Sequence, residues 1–249
     1  MATTRNILTG VTNIIRFNYG YYLGGIGFII VLFSVSAMTI GLLQTVLYIA
    51  GLAASIALVM SLLVSWYVYD LSGLYDLDFL NKKTIEENGA HLNIHAGFDE
   101  TSVLLQQKYP NNKLFVFDFY NPQTHTEISI KRARQAYPPY PGTVAVSTSN
   151  FPLENQSIDN AFLFFAVHEI RDDNERIAFF KELYRVVHPD GHIQIVEHLR
   201  DFPNFLAYTI GAFHFLSANT WRNTFKKSGW IIKGEQQLNP FVKYYILTK

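Results

Sequence analysis

Four histidines and two acids stand where they could do chemistry: His95, His168, His198 and His214, with Asp118 and Glu197. An imidazole titrates near neutrality, so each histidine could take or give a proton. Asp118 closes the apolar run Leu114-Phe115-Val116-Phe117-Asp118. A carboxylate at the end of such a strand can accept both hydroxyls of a ribose. No HxH or HExxH spacing links the histidines, so the spacing predicts no metal site. The chain has no cysteine, which excludes disulfides, thiolate catalysis, Cys-ligated zinc and iron–sulfur clusters.

These groups follow short apolar runs that alternate with helical patterns. Strands are predicted over 91–94, 113–119, 143–147, 160–167 and 192–197. Helices are predicted over 100–109, 124–137 and 173–187, the last with Ile177, Phe180, Leu183, Tyr184 and Val187 on one side. A helix over 218–228 precedes two closing strands, 230–236 and 242–248, with no helix between them. The expectation is an α/β, doubly wound, Rossmann-like seven-stranded sheet with an antiparallel last strand. In such sheets ligands bind beyond the carboxyl ends of the central strands, where His95, Asp118, His168, Glu197 and His198 fall.

The first third of the chain reads differently. From Phe17 to Tyr69, about 53 residues, there is no Asp, Glu, Lys, Arg or His, and a helical membrane span needs only ~20. Two transmembrane helices are expected, over 21–40 and 46–67, with a turn over 41–45. Tyr19, Tyr21, Tyr22, Trp66, Tyr67 and Tyr69 flank them, as interfacial aromatics do. Arg5 and Arg16 precede the hairpin, Lys82 and Lys83 follow it, and the turn has no cation. The positive-inside rule then puts both termini and the soluble domain in the cytoplasm. The expected organisation is an N-terminal segment (1–16), the hairpin (17–69), a connector (70–90) with a helix over 78–87, and the soluble domain (91–249). Lys plus Arg total 20 and so do Asp plus Glu, and a net charge of zero argues against a general nucleic-acid binder.

Two blocks carry a family resemblance. Phe151-Pro152-Leu153 with Ser157-Ile158-Asp159 matches an "LPF-x-x-x-S-F-D" pattern, and Arg185-Val186-Val187-His188-Pro189-Asp190-Gly191 matches "R-V-L-K-P-G-G". In this order they resemble the class I S-adenosylmethionine (SAM)-dependent methyltransferases, most of all the ubiquinone/menaquinone C-methyltransferase group. The family's acid and G-x-G-x-G loop stand here as Asn93, His95, Gly97 and Asp99, with only Gly97 kept. The resemblance implies S-adenosyl-L-methionine as cofactor, held by Asn93, His95, Gly97 and Asp118, with Ser147 or Thr148 near the adenine. It places His168, Glu197 and His198 at the methyl-transfer centre and His214 in the segment covering the substrate. The aromatic stretch from Asp201 to Phe215 lies in that cover and suits an apolar acceptor. The function implied is a membrane-anchored methyltransferase acting on a small lipophilic or lipid-like acceptor. The altered glycine loop keeps open a second reading, a catalytically inactive membrane-tethered binding or scaffold protein. A third, an NAD-dependent reductase, lacks its G-x-G-x-x-G.

Overall fold

The computed structural model describes residues 5–80, 85, 88–124 and 127–249. Helix α1 (Thr9–Phe17) leads into α2 (Tyr19–Ala37) and α3 (Gly41–Trp66), which pack together as a hairpin. Both are apolar end to end, with mean hydropathy 1.7 and 2.3, and only 11% and 6% of their most apolar windows are buried. Core helices of that composition would be covered by protein. The turn lies at Met38–Ile40, not over 41–45 as expected. Gln44 and Thr45 belong instead to the first turns of α3. Thr45 Oγ1 donates to the Gly41 carbonyl at 3.3 Å, so the hydroxyl is satisfied inside the helix.

The sheet strands are β1 (Ala90–His95), β2 (Lys113–Asp118), β3 (Val144–Ala145), β4 (Ile158–Phe164), β5 (Val187–His198), β6 (Ile231–Asn239) and β7 (Val242–Thr248). Their spatial order is β3-β2-β1-β4-β5-β7-β6. All neighbours are parallel except β7, which runs antiparallel to both β5 and β6. The order reverses between β1 and β4, which makes the cleft beyond their carboxyl ends the switch point. Between strands lie α4 (Ser102–Lys108), α5 (Ile128–Ala136), α6 (Asp173–Val186), α7 (Phe202–Tyr208) and α8 (Ala218–Lys227).

Alternation along the strands builds two cores. Ala161, Leu163, Ile193 and Ile195 face Phe179, Phe180, Leu183, Trp221 and Phe225 of α6 and α8. The intervening Phe162 and Val196 face the other way. That second face is covered by the end of α3 and the chain after it, with Val64, Val68, Leu74, Leu77 and Leu80 all buried against Tyr109 and Tyr244. Residues 70–80 are therefore part of the domain's packing. No helix begins at Asp78: a 3₁₀ turn spans Leu74–Asp76 and 77–80 are turn and bend. Most of the expected 78–87 helix, with Lys82 and Lys83, lies outside the described residues, as do 125–126 of the expected 124–137 helix.

The two motif blocks fold onto each other. Arg185 donates to the carbonyls of Leu153 (2.9 Å) and Phe151 (3.1 Å) and to Asn155 Oδ1 (2.8 Å). Glu182 accepts from Arg185 and from the Phe151 N–H at 2.8 Å. Their work is to hold the loop that feeds β4. They touch no part of the cleft.

Candidate active site

The cleft is assembled from three directions. From the sheet come the ends of β1, β2, β4 and β5. From the hairpin comes a π turn, Tyr67–Leu71, that continues α3. From the N-terminus comes α1, a helix where only an N-terminal segment is expected from the sequence. The Asp70 carboxylate accepts the N–H groups of Gly10 (2.6 Å) and Val11 (2.8 Å), taking up orphan donors at the start of α1. At the other end Arg132 of α5 donates to the Phe17 carbonyl at 2.6 Å. Tyr137 donates to Asn13 Oδ1 at 2.8 Å. The helix is thus strapped over a cavity of about 220 Å³, bordered by Asn13, Phe17, Tyr69, His168, His198 and His214. A second cavity of about 130 Å³ adjoins it around His95, Ala96, Phe98 and Phe164, and the two share Tyr75, Glu100 and Phe165.

The end of β1 and the loop after it hold three of the expected cofactor residues, Asn93, His95 and Gly97. Asn93 is buried, and its amide donates to Thr101 Oγ1 (3.0 Å) and Ser102 Oγ (2.8 Å), so it braces the start of α4. Asp99 does the same, accepting the Thr101 and Ser102 N–H groups at 3.0 and 2.9 Å. Gly97 has φ +93°, a left-handed conformation that glycine adopts without strain. His95 is buried, and burial lowers its pKa. Its Nε2 has no hydrogen-bond partner among the described residues, although it borders the second cavity. Asp118 ends β2 beside this loop and pairs with Arg134 of α5, which also reaches the Gly97 carbonyl at 3.5 Å. Ser147 and Thr148 lie farther out: Ser147 bridges to Asn150 and Thr148 donates to Glu175 at 2.7 Å. They line neither cavity.

The histidines split into two environments. His198 is buried among aromatic rings, stacked with Phe165 (4.9 Å) and Phe215 (4.8 Å). Its Nδ1 donates to the Phe241 carbonyl and its Nε2 accepts from the Tyr69 hydroxyl, both at 2.9 Å. Burial pushes its pKa down to about 4, so the ring is neutral. His168 sits in a 3₁₀ turn, Val167–Glu169, just after β4. Burial alone would lower its pKa, but Glu197 and Glu169 outweigh burial and hold it up at about 10. Its Nδ1 lies 2.6 Å from Glu197 Oε2, while Glu197 Oε1 accepts the Val167 N–H at 3.0 Å. Glu197 is fully buried, so it acts on the cavity only through His168. His214 lies on a 3₁₀ turn, Thr209–His214, and reaches Glu169 at 3.2 Å and Glu127 at 2.8 Å. Arg171 also packs on this ring and donates to the His214 carbonyl. Glu127 and Glu169 raise the His214 pKa against the effect of burial.

Sequence reading missed Glu100, Glu127, Tyr69 and Arg134 as site residues. Nothing in their spacing singles them out: Tyr69 comes from the π turn, Glu100 from the loop after β1, and Glu127 and Arg134 from the two ends of α5. Glu100 accepts from Arg5 (2.8 Å) and from Tyr75 (2.7 Å), tying the N-terminus to the loop after β1.

The sheet order and the antiparallel β7 match a known architecture. This is the class I methyltransferase fold. Residues 102–195 match the methyltransferase domain family. A SAM-dependent methyltransferase from Aquifex aeolicus superposes with TM-score 0.52 at 16% identity, over 72% of this chain and 94% of that one. A Pyrococcus horikoshii OT3 protein gives 0.54 at 13%, over 74% and 91%. Geranyl diphosphate C-methyltransferase from Streptomyces coelicolor A3(2), solved with Mg2+, geranyl diphosphate and S-adenosyl-L-homocysteine, gives 0.50 at 9%, over 73% and 81%. No curated protein matches the chain. SAM is the cofactor of the methyltransferases that share this fold. The residues present fit it: a strand-end carboxylate (Asp118) and a left-handed glycine (Gly97) border a small cavity of about 50 Å³, which shares His95, with its unpartnered buried Nε2, and Phe98 with the second cavity. One side chain must yield, since Arg134 holds Asp118. Its side chain is 39% exposed, so it has room to swing.

Proposed function

We propose that this chain is a membrane-seated methyltransferase that uses SAM to methylate a lipophilic acceptor arriving from the bilayer. The observation that carries the reading is the position of the cavity. It lies between the carboxyl edge of the sheet and the π turn that ends α3, under α1. An exposed apolar rim lies on the elements beside it: Ile7, Leu8 and Ile15 in and just before α1, and Phe202, Leu206, Ile210 and Phe213 on α7 and the turn after it. Exposed apolar patches of this kind suit a lipid interface. α7 packs on α3, so the rim is continuous with the hairpin.

Asp118 would hold the ribose and the Gly97 backbone the methionine part, with Arg134 displaced. When bound, the cofactor supplies a methyl group already activated by its sulfonium. The chain's own contribution is to orient the acceptor and exclude water, which can be worth ~7–11 kcal/mol. Phe98, Phe165 and Phe215 do the excluding. Tyr69, held by His198, and the His168–Glu197 pair position polar groups against the acceptor.

The Arg134–Asp118 pair favours the second reading, a non-catalytic tether, because it closes the ribose site. Titration of the full-length protein in detergent with SAM and S-adenosylhomocysteine decides between them. Micromolar binding that Asp118→Ala abolishes supports the enzyme. Folded protein that binds neither ligand supports the tether.

A further inference from the structure

We propose that His168, Glu169 and His214 form a binding site for a divalent transition metal ion, with Zn2+ as the best-fitting type, at the floor of the acceptor cavity. The three side chains come from two separate turns, Val167–Glu169 and Thr209–His214, and all three border the cavity. One ligand atom from each can be chosen so that no two lie more than 4.8 Å apart. Glu169 Oε1 is 3.4 Å from His168 Nε2 and 3.2 Å from His214 Nε2. A tetrahedral ion bonded at about 2.0–2.1 Å to nitrogen and oxygen spaces its ligands by about 3.3 Å. Two of the three edges already have that length.

The outer groups support the same assignment. Metal-bound histidines almost always give their other ring N–H to a carboxylate, a backbone carbonyl or water. His168 Nδ1 meets Glu197 Oε2 at 2.6 Å, and His214 Nδ1 meets Glu127 Oε1 at 2.8 Å. The His168 ring directs Nε2 toward Glu169 and Nδ1 toward Glu197; His214 also turns Nε2 to Glu169, while its Nδ1 faces both Glu127 and the Arg171 guanidinium, which must swing aside for the ring N–H to serve the acid. Glu197 is itself fixed by the Val167 N–H at 3.0 Å, which locks the ring orientation. Two imidazoles and one carboxylate select a transition ion over Mg2+ or Ca2+, which prefer oxygen alone. Three protein ligands leave a position open to the cavity, as in catalytic zinc sites. A hydroxyl or phenol oxygen of the acceptor would take it. That last assignment rests on the methyltransferase reading; metal binding does not.

The test uses full-length protein in detergent, purified without a polyhistidine tag and stripped with chelator. Calorimetric titration with Zn2+ should show one ion per chain, uncompeted by millimolar Mg2+. Co2+ in its place should give the intense visible bands of a tetrahedral site. Glu127→Gln leaves the three ligands in place and should weaken Zn2+ by about 10–100-fold. His214→Ala and Glu169→Gln, each shown folded by circular dichroism, should weaken it more than that. No stoichiometric uptake by the wild type overturns the proposal. So does unchanged affinity in both ligand variants. Zn2+ binding without SAM binding would leave the metal site standing and remove the methyltransferase reading; SAM binding without Zn2+ would do the reverse.

Discussion

The Asp70 carboxylate accepts the Gly10 N–H at 2.6 Å, so the end of the apolar hairpin caps the helix that covers the cleft. The contact depends on glycine: a Cβ at position 10 would lie 2.4 Å from Tyr69 Cβ. Asp70→Ala should remove the cap at about 1–2 kcal/mol and fray α1. Hydrogen exchange checks this. Amides of 9–17 should exchange faster while those of β1, β4 and β5 stay protected.

Arg134 and the cofactor compete for the Asp118 carboxylate. Arg134→Ala should tighten S-adenosylhomocysteine by about tenfold, because a charged hydrogen bond no longer has to be broken first. Asp118→Ala should weaken it by more than about tenfold. Weaker binding in Arg134→Ala would mean that the guanidinium serves the ligand instead of blocking it.

His91 gives the fold a pH dependence away from the site. It is buried, its Nε2 lies 3.0 Å from the Asn112 amide, and burial lowers its pKa from 6.5 to about 4. Between those values the unfolded chain holds the proton and the folded chain does not. Stability from this group is therefore full above pH 6.5 and is lost as pH falls toward 4, by about 3 kcal/mol at most. His168 and His214 act in the opposite sense, since their folded values are raised. Chemical denaturation across pH 4–7 should show a smaller acid loss in His91→Gln than in the wild type.

The apolar rim predicts contact with lipid. A cysteine-free chain allows single-site labelling without background. A fluorophore on Ile210→Cys should be quenched by brominated lipids in proteoliposomes. One on Lys181→Cys, an exposed position on α6, should not. Equal quenching at both, or none at 210, would separate the rim from the membrane.

Arg185 should matter to stability and not to ligand. Arg185→Ala frees the Phe151 and Leu153 carbonyls and should lower stability by about 2 kcal/mol, with cofactor affinity unchanged in the folded fraction. A thermal melt and a titration on the same sample measure both.

How much of this was legible in the sequence follows from the range of the forces involved. Strand and helix placement from His91 onward was readable because alternation and 3.6-residue periodicity are local. The hairpin was readable because 53 uncharged residues need no context. Its turn was misplaced because Gln44 and Thr45 look polar in sequence while a helix end accommodates both. The strongest motif, Arg185 to Gly191, identified the fold but does structural work.

The sequence by itself determined the layers, the strand order's family and the set of residues beyond the strand ends. Only the tertiary structure decided how those residues pair. His168 with Glu197 spans 29 positions, His214 with Glu169 spans 45, and Tyr69 with His198 spans 129. Helix α1 shows the same limit, since its buried face is Gly10, Asn13 and Phe17, which carries little hydrophobic signal. Periodicity reports what one segment buries. Which charges meet across a cleft depends on where the fold brings separate segments together, and no local pattern encodes it.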